Sequence, residues 1–137
     1  MGHAKFTEFK YTDGTSYMAK GQLDGVLIDP KLPKRFDSTA NEERPYGQAK
    51  WWCFPFVRTE NVADLDAWYA KRQGERALEW LQEGRQKWLE AWPTGTRYET
   101  RCLDGGAWDR STAWGMFATL AEAVACAKTG PVWRRGD

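Results

Sequence analysis

The chain has 137 residues, 42% of them hydrophobic, and a formal net charge of +1. A chain of this size buries about 68% of its unfolded surface, enough for one real core, and the length favours one domain over residues 1–137. High apolar content with almost no net charge excludes a disordered chain and gives no overall field to draw it onto nucleic acid or an anionic membrane. Nine residues are tryptophan, a type outside the commonest residues of ordinary domains.

Residues 4–28 read as strands. Asp13-Gly14, between Tyr11-Thr12 and Thr15-Ser16, is a two-residue hairpin signal. That register sets Phe9 opposite Met18 and Lys10 opposite Tyr17. Asp24-Gly25 then returns the chain as a third short strand, Val26-Leu27-Ile28. Residues 29–48 hold Pro30, Pro33 and Pro45, many charges and few apolar anchors. Each proline biases the residue before it away from helix, so this stretch reads as an irregular surface loop, long for a compact domain. Residues 49–58 (AKWWCFPFVR) read as a strand with Trp52, Phe54 and Phe56 on one face and Trp51, Cys53 and Val57 on the other. Pro55 cannot donate to a ladder, which calls for an edge position or a bulge.

Residues 61–92 read as helical. Asn61 is the expected N-cap, with Asp64 in the first turn. Val62, Leu65, Trp68 and Tyr69 point one way, while Ala77, Leu81, Trp88 and Trp92 point in a direction turned by roughly 130°. One straight helix cannot bury both stripes, which predicts a break at Gly74, with Lys71 and Arg72 closing the first segment. Glu83 and Lys87 form a favourable pair one turn apart, and Pro93 and Gly95 end the second segment.

Residues 96–103 alternate, with Tyr98, Thr100 and Cys102 on one face and Arg97, Glu99 and Arg101 on a face expected to be wet. Asp104-Gly105-Gly106 turns the chain, and residues 108–114 return it. Thr119-Leu120-Ala121-Glu122 is a capping box opening a last helix, which Gly130-Pro131 closes. Residues 131–137 form a polar tail apart from Val132 and Trp133. The order implies an α+β domain in which helices pack on one face of an antiparallel β-sheet, with the strand order left open.

The N-terminus lacks the apolar region of a signal peptide. The longest apolar run, residues 51–57, falls far short of the roughly 18 residues that span a bilayer. The reading is a cytoplasmic chain without a membrane partner. Cys53, Cys102 and Cys126 are odd in number and widely spaced, unlike a disulfide framework or a zinc site. They read as small apolar residues of a reducing compartment, with Cys53 made inert by its apolar neighbours.

His3 is the only histidine, at a terminus, so no Ser-His or Cys-His nucleophile pair and no histidine metal site is expected. Glycine motifs that cradle phosphate are absent. Asp104 and Asp109, around the turn beside Trp108, are the best carboxylate pair for acid–base chemistry, although Asp before Gly is the ordinary turn residue. No cofactor is expected, and the chain leans away from being an enzyme.

Large aromatics mostly fill cores, yet Trp80 lies at the margin of its stripe and Trp51 and Trp52 point to opposite faces. Exposed Trp beside Arg is the composition of an interface. The expected interface or ligand residues are Trp51, Trp52, Trp80, Trp108, Trp114, Arg35 and Arg110. The leading expectation is a small non-enzymatic binding protein with a Trp-rich protein–protein surface, of the inhibitor or adaptor type carried by bacterial mobile elements. Its partner would be another protein or a second copy in a homodimer. The first alternative is a small-molecule pocket lined by Trp52, Phe54, Trp108 and Trp114, or a carboxylate-based enzyme. The second is single-stranded nucleic-acid binding through Lys31, Lys34, Arg35, Arg44, Arg134 and Arg135. Glu42 and Glu43 interrupt that basic group, and no nucleic-acid motif accompanies it.

Overall fold

The computed structural model describes residues 5–70, 77–105 and 110–134. The strands are β1 (Thr7–Lys10), β2 (Ser16–Leu23), β3 (Val26–Pro30), β4 (Phe56–Asn61), β5 (Thr96–Cys102) and β6 (Thr112–Phe117). The helices are α1 (Tyr46–Ala49), α2 (Ala63–Ala70), α3 (Ala77–Ala91) and α4 (Leu120–Thr129). The strands form one six-stranded sheet in chain order, β1-β2-β3-β4-β5-β6. Every pairing is antiparallel except β3 with β4, which is parallel. The α+β class is the one the sequence predicts.

The first hairpin differs from its expected register. The Tyr11 amide donates to the Thr15 carbonyl and the Gly14 amide to the Tyr11 carbonyl, both at 2.9 Å. Thr12, Asp13 and Gly14 are therefore the loop, and of Asp13 and Gly14 only Gly14 has a positive φ, +87°. This is the three-residue hairpin in which a left-handed glycine follows an ordinary turn. Asp13 Oδ1 accepts the Thr15 amide at 2.9 Å and holds that form. Phe9 consequently faces Tyr17, Glu8 faces Met18 and Lys10 faces Ser16. A one-residue slip exchanges the two faces of a strand, and Tyr17 enters the core at 5% exposure while Met18 is 41% exposed. Asp24-Gly25 behaves as expected. Both residues have positive φ, 50° and 82°, and Leu23 pairs with Val26 across a two-residue turn.

The parallel β3–β4 pair requires a crossover, and residues 31–55 supply it. This stretch is less irregular than expected. It holds two short 3₁₀ turns, Phe36–Ser38 and Asn41–Glu43, as well as α1. Arg44 ties it together: its Nη1 donates to the Phe36 carbonyl at 2.6 Å and to Gln48 Oε1 at 2.7 Å. Buried Gln48 in turn donates to the Lys34 carbonyl and Thr39 Oγ1, each at 3.1 Å.

The strand expected over residues 49–58 starts only at Phe56. Trp51 and Trp52 belong to the turn after α1, and Cys53 stands in the left-handed region at φ 57°. Pro55 thus precedes β4 instead of interrupting it, which lets β4 lie in the middle of the sheet.

Alternation along β3 and β4 splits the core in two. On one face Tyr17, Ala19, Leu27, Phe36, Trp51, Phe56 and Leu103 form a cluster covered by the crossover. On the other, Val26 and Val57 pack against Ala123 and Val124 of α4, and Cys102, Trp114 and Cys126 extend that layer. Thr100 Oγ1 donates to the Ala123 carbonyl at 2.7 Å, fastening α4 to β5. The Thr119 cap forms as expected, its Oγ1 accepting the Glu122 amide at 3.2 Å. The tail is not wholly peripheral: Pro131 is fully buried, while Trp133 is 56% exposed.

Asn61 is the last residue of β4 and does not cap the helix by its side chain. Its amide donates to Asp64 Oδ2 at 2.8 Å, and its Oδ1 accepts from Thr96 Oγ1 at 2.6 Å. α2 and α3 pack on each other. The predicted break at Gly74, with Lys71 and Arg72, lies outside the described residues.

Candidate functional site

The β5 face expected to be wet is instead a partly covered ion-pair ladder. β4 and β5 set Arg58 opposite Glu99, and Glu60 opposite Arg97. Glu60 bridges two arginines, with Oε1 at 2.8 Å from Arg97 Nε and Oε2 at 3.6 Å from Arg58 Nη2. Glu99, 8% exposed, pairs with Arg101 at 3.0 Å. Arg101 Nε donates to Ser111 Oγ at 2.8 Å, and its Nη2 donates to the Ser111 carbonyl.

At one end of this ladder the helix pair closes a groove of about 570 Å³. Arg58, Glu60, Asp64, Leu65, Trp88 and Arg97 line it. Trp88 reaches it from α3 and is oriented by its own Nε1, which donates to the Gly95 carbonyl at 3.2 Å. The Arg97 guanidinium lies over that indole, its central carbon 3.9 Å from the ring centroid. A smaller cleft of about 300 Å³ opens elsewhere, among Glu8, Lys31, Lys50 and Trp51. Of its two lysines Lys50 is committed: its Nζ donates to the Ser16 carbonyl at 2.8 Å and stands 4.7 Å from the Tyr17 ring centroid.

The sequence-derived interface residues are dispersed. Trp51 is 1% exposed and Trp114 9%, so both belong to the core and neither contributes surface. Trp52 is 37% exposed, and a Cβ on Gly105 would touch its ring at 3.6 Å. Trp80 is 42% exposed on α3. Arg35 and Arg110 are both exposed, two residues and one residue from the hydrogen-bonded pair Asp37 and Ser111. Trp108 lies outside the described residues, as does Asp109. The expected pocket does not assemble from its described members: Phe54 stacks on Tyr17 at 4.5 Å in the first core cluster, while Trp114 belongs to the layer under α4.

Asp104 is structural. Its Oδ1 accepts from Thr112 Oγ1 at 2.6 Å and its Oδ2 from Trp114 Nε1 at 3.0 Å. Cys102 and Cys126 are buried as expected, but Cys53 is exposed, because the left-handed turn takes it out of the apolar run. Among the described residues no group of three His, Cys, Asp or Glu side chains could hold a metal ion, and no helix is long and apolar enough to cross a membrane.

Two features went unnoticed in the sequence. One is the Arg58-Glu60-Arg97 triad, since cross-strand partners depend on a register that residue types do not specify. The other is the outer side of α3, where Leu78 is 63% and Leu89 42% exposed. Residues eleven apart nearly eclipse on a helix, so this pair was available as a pattern.

No family model, curated protein or solved structure matches the chain.

Proposed function

We propose that this chain is a non-enzymatic cytoplasmic binding protein that captures a protein partner on the outer side of α3. The observation that carries the reading is the exposure of Leu78 and Leu89, which lie on one side of a fifteen-residue helix, while the sheet elsewhere has closed cores on both faces. Large apolar side chains left in water together mark an interaction surface, and a helix presenting them is a common recognition element. The surface is thus narrower than composition suggested: two leucines, with Trp80 about half a turn away around the helix. Three free cysteines support the reducing compartment.

The test is site-specific photo-crosslinking in cells, with benzophenone placed at position 78 and, as a control, at exposed Lys87. A discrete adduct from position 78 that disappears in Leu78→Glu/Leu89→Glu is expected, with thermal stability retained. A second copy as partner would appear as an adduct of twice the chain mass. Equal or absent crosslinking at both positions would refute the reading.

A further inference from the structure

The groove between the helix pair and β4–β5 is separate from the outer side of α3, and its chemistry differs. Arg97 is fixed in three ways. Its guanidinium rests on Trp88 at 3.9 Å, its Nε is held by Glu60 at 2.8 Å, and its backbone lies in a strand paired on both sides, by β4 and β6. Among the described residues nothing takes up its two Nη nitrogens. An arginine pinned by its face and its Nε edge presents the remaining edge as a planar fork, the geometry that matches a carboxylate bidentately. Little side-chain entropy is left to lose when an anion arrives.

Charge selects among anions. Both oxygens of Glu60 are engaged by Arg97 and Arg58, so the triad carries one net positive charge. Asp64 is occupied at the Asn61 amide, 2.8 Å away. Asp64 keeps its own negative charge, so Arg58, Glu60, Asp64 and Arg97 are formally neutral together, and a monoanion on Arg97 leaves one excess negative charge where a phosphate dianion would leave two. Leu65 and the indole of Trp88 supply apolar wall, and the volume of about 570 Å³ falls in the range of small-ligand sites.

We propose that this groove binds a small monocarboxylic acid with an apolar body. The carboxylate docks on the Nη edge of Arg97, with Arg58 beside it. The apolar part lies against Leu65 and Trp88. Arg58, whose side chain is 42% exposed, acts as the outer, adjustable cation, and Arg97 as the fixed one.

The experiment titrates the full-length labelled protein with 3-phenylpropionate while following the Arg97 Nε–H and Trp88 indole N–H resonances. Three comparison titrations use butyrate, inorganic phosphate and 3-phenylpropionamide. The carboxylates are expected to shift both resonances saturably, 3-phenylpropionate more tightly than butyrate. The amide, which lacks the charge, and phosphate should give no saturable shift at the same concentrations. Arg97→Lys keeps the charge but not the fork and should weaken binding by about tenfold. Arg58→Gln, at an exposed position, should weaken it by a smaller factor and carries the test if Arg97→Lys fails to fold. The proposal is overturned if neither carboxylate binds, if the amide binds as well as the acid, or if affinity survives the substitutions. Saturable phosphate binding without carboxylate preference would mark a general anion patch and equally overturn it.

Discussion

Asp37 and Ser111 are 74 positions apart in the chain and share two hydrogen bonds: Oδ1 of Asp37 accepts the Ser111 amide at 2.7 Å and the Ser111 hydroxyl at 2.9 Å. Ser111 is 2% exposed, and Arg101 holds it from the other side. One carboxylate thus joins the crossover to the chain entering β6. Removing it leaves a buried amide without an acceptor, and hydrogen bonds to charged groups contribute about 1.5–3 kcal/mol. Asp37→Ala should therefore lower unfolding free energy in urea by about 2 kcal/mol, and Asp37→Asn, which keeps an acceptor, by about half that. A loss under about 0.5 kcal/mol for the alanine variant would show that water replaces the carboxylate.

Among the described residues Trp51 is the largest fully buried side chain, packed against Tyr17 at 4.6 Å and Phe56 at 5.5 Å between centroids. Its indole N–H has no hydrogen-bond partner among the described residues. Replacement by Phe sacrifices ring area but no hydrogen bond, and should cost about 1–2 kcal/mol. Trp51→Ala opens a cavity and should cost about 3–5 kcal/mol. Chemical denaturation of both variants measures the difference. A phenylalanine variant as unstable as the alanine one would mean that the indole nitrogen is engaged after all.

Alkaline pH should destabilise the protein. Burial, aided by the nearby charge of Asp13, pushes the Tyr17 hydroxyl up from near 10 to about 12. Burial, with Asp104 adding to it, pushes the Cys102 thiol up from near 9 to about 12. Both groups are neutral when protonated, and the folded state holds that proton more tightly than the unfolded chain. Their contribution is complete below the unfolded values and is lost as pH rises toward the folded ones. The urea midpoint should be insensitive to these groups below about pH 8 and fall steadily from about pH 9 upward. Tyr17→Phe should flatten part of that decline.

Thiol labelling should be biphasic. Cys53 is exposed, whereas Cys102 and Cys126 are buried at 0% exposure. A disulfide reagent should modify one thiol per chain rapidly and the other two only as fast as the chain unfolds. Cys53→Ser should abolish the fast phase. Two fast thiols in native protein would place Cys126 or Cys102 in a layer that opens locally.

These residues also show what a sequence can reveal. Asp24-Gly25 was legible because both residues adopt positive φ, as a two-residue turn demands. Asp13-Gly14 is the same dipeptide in a different turn, decided by a hydrogen bond from Thr15 to the Asp13 side chain. The register that goes with that turn sets Tyr17, not Met18, opposite Phe9. The Thr119 cap was legible because its partners are three residues apart. The run at 51–57 misled because an apolar pattern does not report backbone angle, and Cys53 turns left-handed within it. The groove was the least legible part. Arg97 and Glu60 lie 37 positions apart, and Trp88 meets them only through the placement of α3, a contact no local pattern encodes.

The strand order repeats the chain order without exception. Each strand is laid beside the one synthesised immediately before it, so the sheet can be extended from its N-terminal edge as the chain emerges from the ribosome. Four of the five additions are antiparallel neighbours. The parallel step, β3 to β4, must wait for the whole crossover, and loop closure over that length is the slowest kind of contact to form. Assembly therefore has one natural pause, after the first three strands, at which Leu27 and Tyr17 are still in water and Trp51 has yet to arrive.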